Sequence, residues 1–158
     1  MAGTVFQRLE ELLKLHGVSF DVLRHEPVFT SQQAADIRGT SLASGAKALI
    51  VKGDEQFRML VLPADLRLAS KAMRATRGWR KLRFATREEV QEMTGLEPGS
   101  IPPFGSLFNL PTLCDERLAE NEQINFNAGD HCVSVKMLYA DYVRVESPEL
   151  GAFAEAAT

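Results

Sequence analysis

Lys47 lies in Gly45-Ala46-Lys47-Ala48-Leu49-Ile50-Val51, an apolar run with the length of a buried strand and no evident place for a charge. An unpaired charge in an apolar interior costs several kcal/mol, so Lys47 must reach water, lose its proton or face a polar pocket. The last case makes it a candidate for chemistry. As a cation it can hold a phosphate or stabilise a developing oxyanion. As a neutral amine it can act as a base, which requires its pKa to fall several units from about 10.4, so the cationic role is preferred. The plain alternative is a strand-edge lysine with its ammonium in water.

Residues 99–105, Gly-Ser-Ile-Pro-Pro-Phe-Gly, form a second candidate. Pro102 and Pro103 have no N–H but stiffen the loop, leaving Gly99, Ser100, Ile101, Phe104 and Gly105 as potential backbone donors. Such donors aimed at a developing oxyanion would serve acyl-ester hydrolysis, which needs a positioned water and no metal or cofactor. Alone, the loop reads as an ordinary structural turn before a donor site. Asn125-Phe126-Asn127-Ala128-Gly129-Asp130-His131 is a second turn, where Gly129 permits close approach and Asp130 and His131 read as solvated. His25, beside Pro27, reads as a surface or capping histidine, and Thr30 and Ser31 read as helix caps before pocket residues. Residues 71–83 carry Lys71, Arg74, Arg77, Arg80, Lys81 and Arg83 with no acid, and Trp79 lies among them. Phosphate contact with an aromatic for stacking is one reading, and a solvated basic face the other.

The elements that must position these groups are marked by local signals. Thr4 with Gln7, Thr30 with Gln33 and Thr86 with Glu89 open three helices, and Gly17, Gly39 and Gly95 close them. Residues 68–75 suggest a further helix. Residues 18–22 alternate as a half-buried strand, residues 46–52 and 56–62 form a hairpin around Gly53-Asp54-Glu55, and residues 82–84 form a short strand. Residues 107–114, 123–126 and 132–137 are strand-like, residues 141–145 are ambiguous, and residues 151–158 read as a frayed tail. Strict strand-helix alternation fails, so the fold class is α+β.

The 158 residues suit one domain, spanning residues 1–158, with a substantial core. Hydrophobic content of 45% and charged content of 25% are ordinary for a globular protein. The net charge of -3 excludes a global basic field, so any nucleic-acid contact is local. Cys114 and Cys132 have neither Cys-x-x-Cys nor metal-like spacing, and read as two thiols in a reducing compartment. With no stretch of about 18 apolar residues, no membrane partner is expected and the cytoplasm is the expected location.

Lys47, the 99–105 loop, the 125–131 turn, and Leu82-Arg83-Phe84-Ala85-Thr86-Arg87-Glu88-Glu89-Val90 leading to Thr94-Gly95 together resemble the YbaK / prolyl-tRNA-synthetase-associated domain family, from about His25 to Val145. The resemblance implies a curved, mixed or mostly antiparallel sheet, barrel-like, surrounded by helices. It implies a small aminoacyl-tRNA deacylase with Lys47 as its functional residue. Gly99 and Pro103 match the family's Gly-x-x-x-Pro loop, so Gly99, Ser100, Ile101, Pro103, Phe104 and Gly105 would bind substrate, with Gly129 near the pocket. Arg77, Arg80 and Lys81 would then touch tRNA. The implied substrate is tRNA for proline carrying Ala, Cys, Ser or Thr, with prolyl-tRNA synthetase as a partner and no DNA. A non-catalytic module binding aminoacyl-tRNA or a synthetase, and a hydrolase of an unrelated small ester, are the alternatives.

Overall fold

The computed structural model describes residues 3–157. Its helices start and stop where local chemistry dictates. α1 (Val5–Leu15) opens on Thr4, whose side chain accepts from the Gln7 N–H while the Gln7 side chain accepts from the Thr4 N–H. Its apolar stripe buries Leu9 and Leu13 completely. After β1 (Phe20–Arg24), α2 (Ser31–Arg38) opens on Thr30 and ends at Gly39. A 3-10 turn (Leu42–Ser44) leads into the hairpin of β2 (Ala46–Gly53) and β3 (Gln56–Pro63), paired in register from Ala46↔Pro63 to Gly53↔Gln56. β4 (Leu66–Leu68), α3 (Ser70–Arg77), β5 (Leu82–Phe84) and α4 (Arg87–Thr94) follow, the last with the expected reciprocal Thr86–Glu89 cap. A 3-10 turn (Gly105–Phe108) precedes β6 (Thr112–Asp115), and another (Glu116–Glu120) precedes β7 (Gln123–Asn127). β8 (Val133–Leu138), α5 (Tyr139–Glu146), β9 (Glu149–Gly151) and β10 (Ala154–Ala156) complete the described chain.

The architecture is α+β. A five-stranded sheet in the order β5-β2-β3-β6-β9 is mixed, because β6 runs parallel to both β3 and β9. A three-stranded antiparallel sheet has the order β1-β8-β7, and β10 pairs antiparallel with β4. The expected barrel-like surface is not closed. A parallel bridge between Gly45 and Asn125 joins the two larger sheets where β2 begins.

Side chains alternate along β2, so it serves two cores. Ala46 and Ile50 enter the larger cluster with Leu9, Met59, Phe104, Phe126 and Tyr142. Val51 and Leu49 turn to a smaller cluster of Leu60, Leu62, Leu68, Met73, Leu113 and Phe153. Lys47 belongs to the Leu49 and Val51 face, as the alternation requires.

Several expectations change. β1 is an edge strand rather than a half-buried one, with Val22 and Leu23 both exposed. Of the 107–114 stretch only residues 112–114 are strand; 107 and 108 end a 3-10 turn, and Asn109 takes a left-handed conformation that breaks the extended chain. The ambiguous 141–145 stretch is helical, within α5. The tail is anchored: Phe153 is 4% exposed, and Asp115 accepts from the N–H groups of Phe153 and Ala154, both at 2.8 Å. Thr158 lies outside the described residues.

Candidate active site

A cavity of about 240 Å³ opens between α2, the start of β2 and the loop at Gly99. Ala34, Ala35, Ala46, Ala48 and Ala64 make much of its wall, and their short side chains leave this space open. Lys47 and Arg38 are its charged lining residues, and no carboxylate lines it among the described residues. Lys47 is half-buried and its ammonium donates to the Leu66 carbonyl. Burial pushes its pKa below the ordinary lysine value, and the nearby Asp65 carboxylate opposes that shift. The bond to a neutral carbonyl orients the charge without cancelling it. α2 adds a smaller positive contribution, because Thr30 and Ser31 at its N-terminus also line the cavity.

Arg38 is a functional candidate that the sequence reading missed. At the last position of α2 it looks like a residue that complements the helix dipole. Instead its Nε donates to Ser134 Oγ, Nη1 to Asn125 Oδ1 and Nη2 to Asn127 Oδ1, each at 2.8 Å. Asn125 in turn donates to Ser44 Oγ at 2.9 Å, and Asn127 to the Gly99 carbonyl at 2.7 Å. Ser134 Oγ also lies 2.7 Å from His25 Nε2, so the expected surface histidine is part of this network. Every partner of the guanidinium is neutral, and burial lowers its pKa to about 10. The signal available in the sequence was Asn125 between the apolar Ile124 and Phe126, since a buried amide needs partners.

The loop from 99 to 105 is divided. Gly99 and Ile101 line the cavity, and among the described residues their N–H groups have no hydrogen-bond partner. Gly99 has φ +92°, a backbone region that side chains disfavour. The Ser100 N–H and hydroxyl both donate to the Glu97 carbonyl, at 3.2 and 2.8 Å. Phe104 is fully buried with its N–H on Pro102, and the Gly105 N–H donates to Thr112 Oγ1 at 3.0 Å. The Pro103 carbonyl accepts from the Tyr142 hydroxyl at 2.7 Å. Ser100, Pro103, Phe104 and Gly105 therefore brace the loop from the core side. Gly129 also lies outside the lining: it packs against Val5, and its N–H donates to the Ser100 carbonyl at 2.8 Å. His131 is half-buried rather than solvated, its ring centroid 4.9 Å from that of Phe29, a lining residue.

The basic segment sits elsewhere. Lys52 pairs with Arg83 in register, about 17 Å along β2 from Lys47 at ~3.4 Å per residue. Arg77 grips both oxygens of Glu149, and Arg83 both oxygens of Glu89. The Arg80 and Lys81 N–H groups donate to Asp54, while their side chains are exposed and, among the described residues, form no ion pair; the same holds for Lys71 and Arg74. Trp79 is no open stacking platform. Gly53 lies against its ring, and the Arg58 guanidinium is 4.4 Å from the ring centroid. Among the described residues, no group of three or more His, Cys, Asp and Glu side chains is placed to hold a metal, and no helix is long and apolar enough to cross a membrane.

The sequence pattern of the aminoacyl-tRNA editing domain matches residues 25–145. The multifunctional Ser/Thr-tRNA deacylase ProXp-y of Escherichia coli (strain K12) is 38% identical over 149 residues, covering 91% of this chain and 89% of that protein. The prolyl-tRNA editing protein ProX of Acetoanaerobium sticklandii is 22% identical over 147 residues, covering 89% and 87%. The crystal structure of a candidate trans-editing enzyme for prolyl tRNA synthetase superposes with a TM-score of 0.84 over 99% of this chain and 100% of that one; at 22% identity this likeness speaks for the fold alone. With one family pattern across most of its length and a relative 38% identical over 91% of it, the chain belongs to the aminoacyl-tRNA editing domain family.

Proposed function

We propose that this protein is a trans-editing hydrolase that removes a wrongly attached amino acid from tRNA, with residues 1–158 acting as one editing domain. The observation that carries the reading is a small cavity lined, among the described residues, by two cations and no carboxylate, with the N–H groups of Gly99 and Ile101 unengaged there by any described residue. Water attacks the ester carbonyl carbon, negative charge gathers on the carbonyl oxygen, and the bond to the ribose oxygen breaks. The ribose oxygen leaves with a proton, giving free amino acid and deacylated tRNA. Lys47 acts as a cation that stabilises the oxyanion, because preorganised charge in a water-poor site is worth most where charge develops. Gly99 and Ile101 supply backbone donors. Ser100, Pro103, Phe104, Gly105 and Gly129 hold those donors in place.

The modest volume of the cavity suits a small acyl group. That volume lies below the ~300–1,000 Å³ of sites for drug-sized ligands. Ala, Cys, Ser and Thr on tRNA for proline are the proposed substrates; the deacylase named for Ser/Thr-tRNA and the relative named for prolyl-tRNA editing support that class. Arg80 and Lys81, with Lys71 and Arg74, are the proposed phosphate contacts, and Arg77 contributes less because Glu149 neutralises it. Prolyl-tRNA synthetase is the proposed partner, and the cytoplasm the proposed place of action. The test is a deacylation panel of tRNA carrying Ala, Cys, Ser, Thr or Pro. Hydrolysis of at least one small wrong amino acid with Pro-tRNA spared is expected. Binding without turnover on every member would replace the hydrolase with a binding module.

A further inference from the structure

Arg38 stands out among the half-buried charges because its partners leave it unfinished. A guanidinium has five N–H donors, and three are engaged, one each by Ser134, Asn125 and Asn127. One N–H on each terminal nitrogen remains. No carboxylate pairs with Arg38 among the described residues. Nη1 lies 3.9 Å from where a Cβ on Gly45 would stand, and Gly45, Asn127 and Arg38 all line the cavity. The hydroxyls of Thr30, Ser31 and Ser41 line it too, but those residues are exposed and exchange readily with water. The half-buried polar wall is Arg38 with Asn127.

We infer that the two unengaged N–H groups of Arg38 take the side-chain hydroxyl of the bound acyl group, making Arg38 the residue that prefers seryl and threonyl esters over alanyl. This rests on the deacylase reading of the cavity. A hydroxyl offers lone pairs to a fixed cationic donor, whereas a methyl group in the same place leaves that donor without a partner. A site built to bond a hydroxyl discriminates far better than one that only measures size. The clamp by Asn125, Asn127 and Ser134 fixes the guanidinium plane, so the donors are held in position before substrate arrives. Lysine cannot reproduce this, because its ammonium is a point charge on a flexible stem rather than a planar fork.

The test uses hydrolysis-resistant amide analogues, seryl- and alanyl-aminoadenosine, with the full-length protein. Wild type is expected to bind the seryl compound about 10–100-fold more tightly, the span of one hydrogen bond to a charged group. The side-chain ¹⁵N resonances of Arg38 should shift with the seryl compound and stay still with the alanyl one. Arg38→Lys should collapse the affinity ratio toward one. Equal wild-type affinities, or Arg38 resonances that respond alike to both compounds, overturn the inference without any variant having to fold. So does a folded Arg38→Lys protein that keeps the ratio while weakening both compounds. If wild type binds neither compound and deacylates no tRNA, the deacylase reading itself falls, a result distinct from equal binding.

Discussion

The cavity and the 71–83 segment both concentrate positive charge, but they handle it in opposite ways. In the cavity, Lys47 donates to a carbonyl and Arg38 to two amides and a hydroxyl. Neutral partners orient a cation and leave its field intact, at the cost of desolvation that lowers both pKa values. In the segment, Arg77 and Arg83 meet carboxylates two oxygens at a time, and both are pulled above the ordinary arginine value. The density of cations along the chain is therefore a poor guide to the charge a ligand meets. What matters is whether folding brings an acid to each one.

Giving the cavity an acid of its own should have the largest effect. Leu49 lines the cavity two positions from Lys47 on the same face of β2. Leu49→Glu should lower kcat/KM about 100-fold beyond Leu49→Gln, which controls for shape and polarity. Steady-state deacylation of both variants checks this, and equal losses would mean that the field in the cavity is unimportant. Gly99→Ala comes next, because φ +92° strains any side chain. A loss of ~1–3 kcal/mol is expected, which thermal melting reads as ~2–4 °C per kcal/mol for a chain of this size. A melting temperature unchanged from wild type would show that the loop relaxes freely and does not hold its donors in place.

The converse operation, taking an acid away from the segment, should have a smaller effect. Glu149→Gln frees Arg77, and tRNA affinity should rise ~2–5-fold, with log K falling more steeply against log salt by about one. Reversing charge at Arg80 and Lys81 should do the opposite while sparing a minimal aminoacyl-adenosine ester. Salt-titrated binding separates these outcomes, and flat responses in both would return the segment to a solvated face. The smallest effect concerns Glu89, held at about 2 by its bonds from Arg83 and from the Thr86 N–H. A depressed carboxylate contributes stability above its unfolded value of ~4.3 and loses that contribution as pH falls through about 2. The melting difference between wild type and Arg83→Gln should shrink over that range. A difference that stays constant would mean the pair does not couple to folding.

Much of the fold was legible because its signals are local. The caps at Thr4, Thr30 and Thr86 satisfy N–H groups three residues away, and the hairpin of β2 and β3 needs one short turn. The tail was not, because Phe153 is buried by partners such as Asp115 that lie far away in the chain. The candidate site divides in the same way. Lys47 was visible as a charge in an apolar strand, while Arg38 gains its meaning from Asn125, Asn127 and Ser134, 87 to 96 residues further on. Gly99 and Ile101 were found along with neighbours that face the core, because a loop sequence does not reveal which of its N–H groups the interior engages. The acid that quiets Arg77 lies 72 residues beyond it.

The proposed role of Lys47 is to stabilise the oxyanion with a charge whose direct partner is the neutral Leu66 carbonyl, in a cavity that no carboxylate lines among the described residues. Single-turnover deacylation by Lys47→Met, on whichever mischarged tRNA wild type clears fastest, tests it most directly when paired with a melt and a tRNA-binding measurement. The account predicts a rate loss of about 10²–10³-fold, little change in tRNA affinity, and a melting temperature equal to or above wild type, because methionine removes a desolvated ammonium. A folded Lys47→Met protein that turns over at the wild-type rate would contradict it.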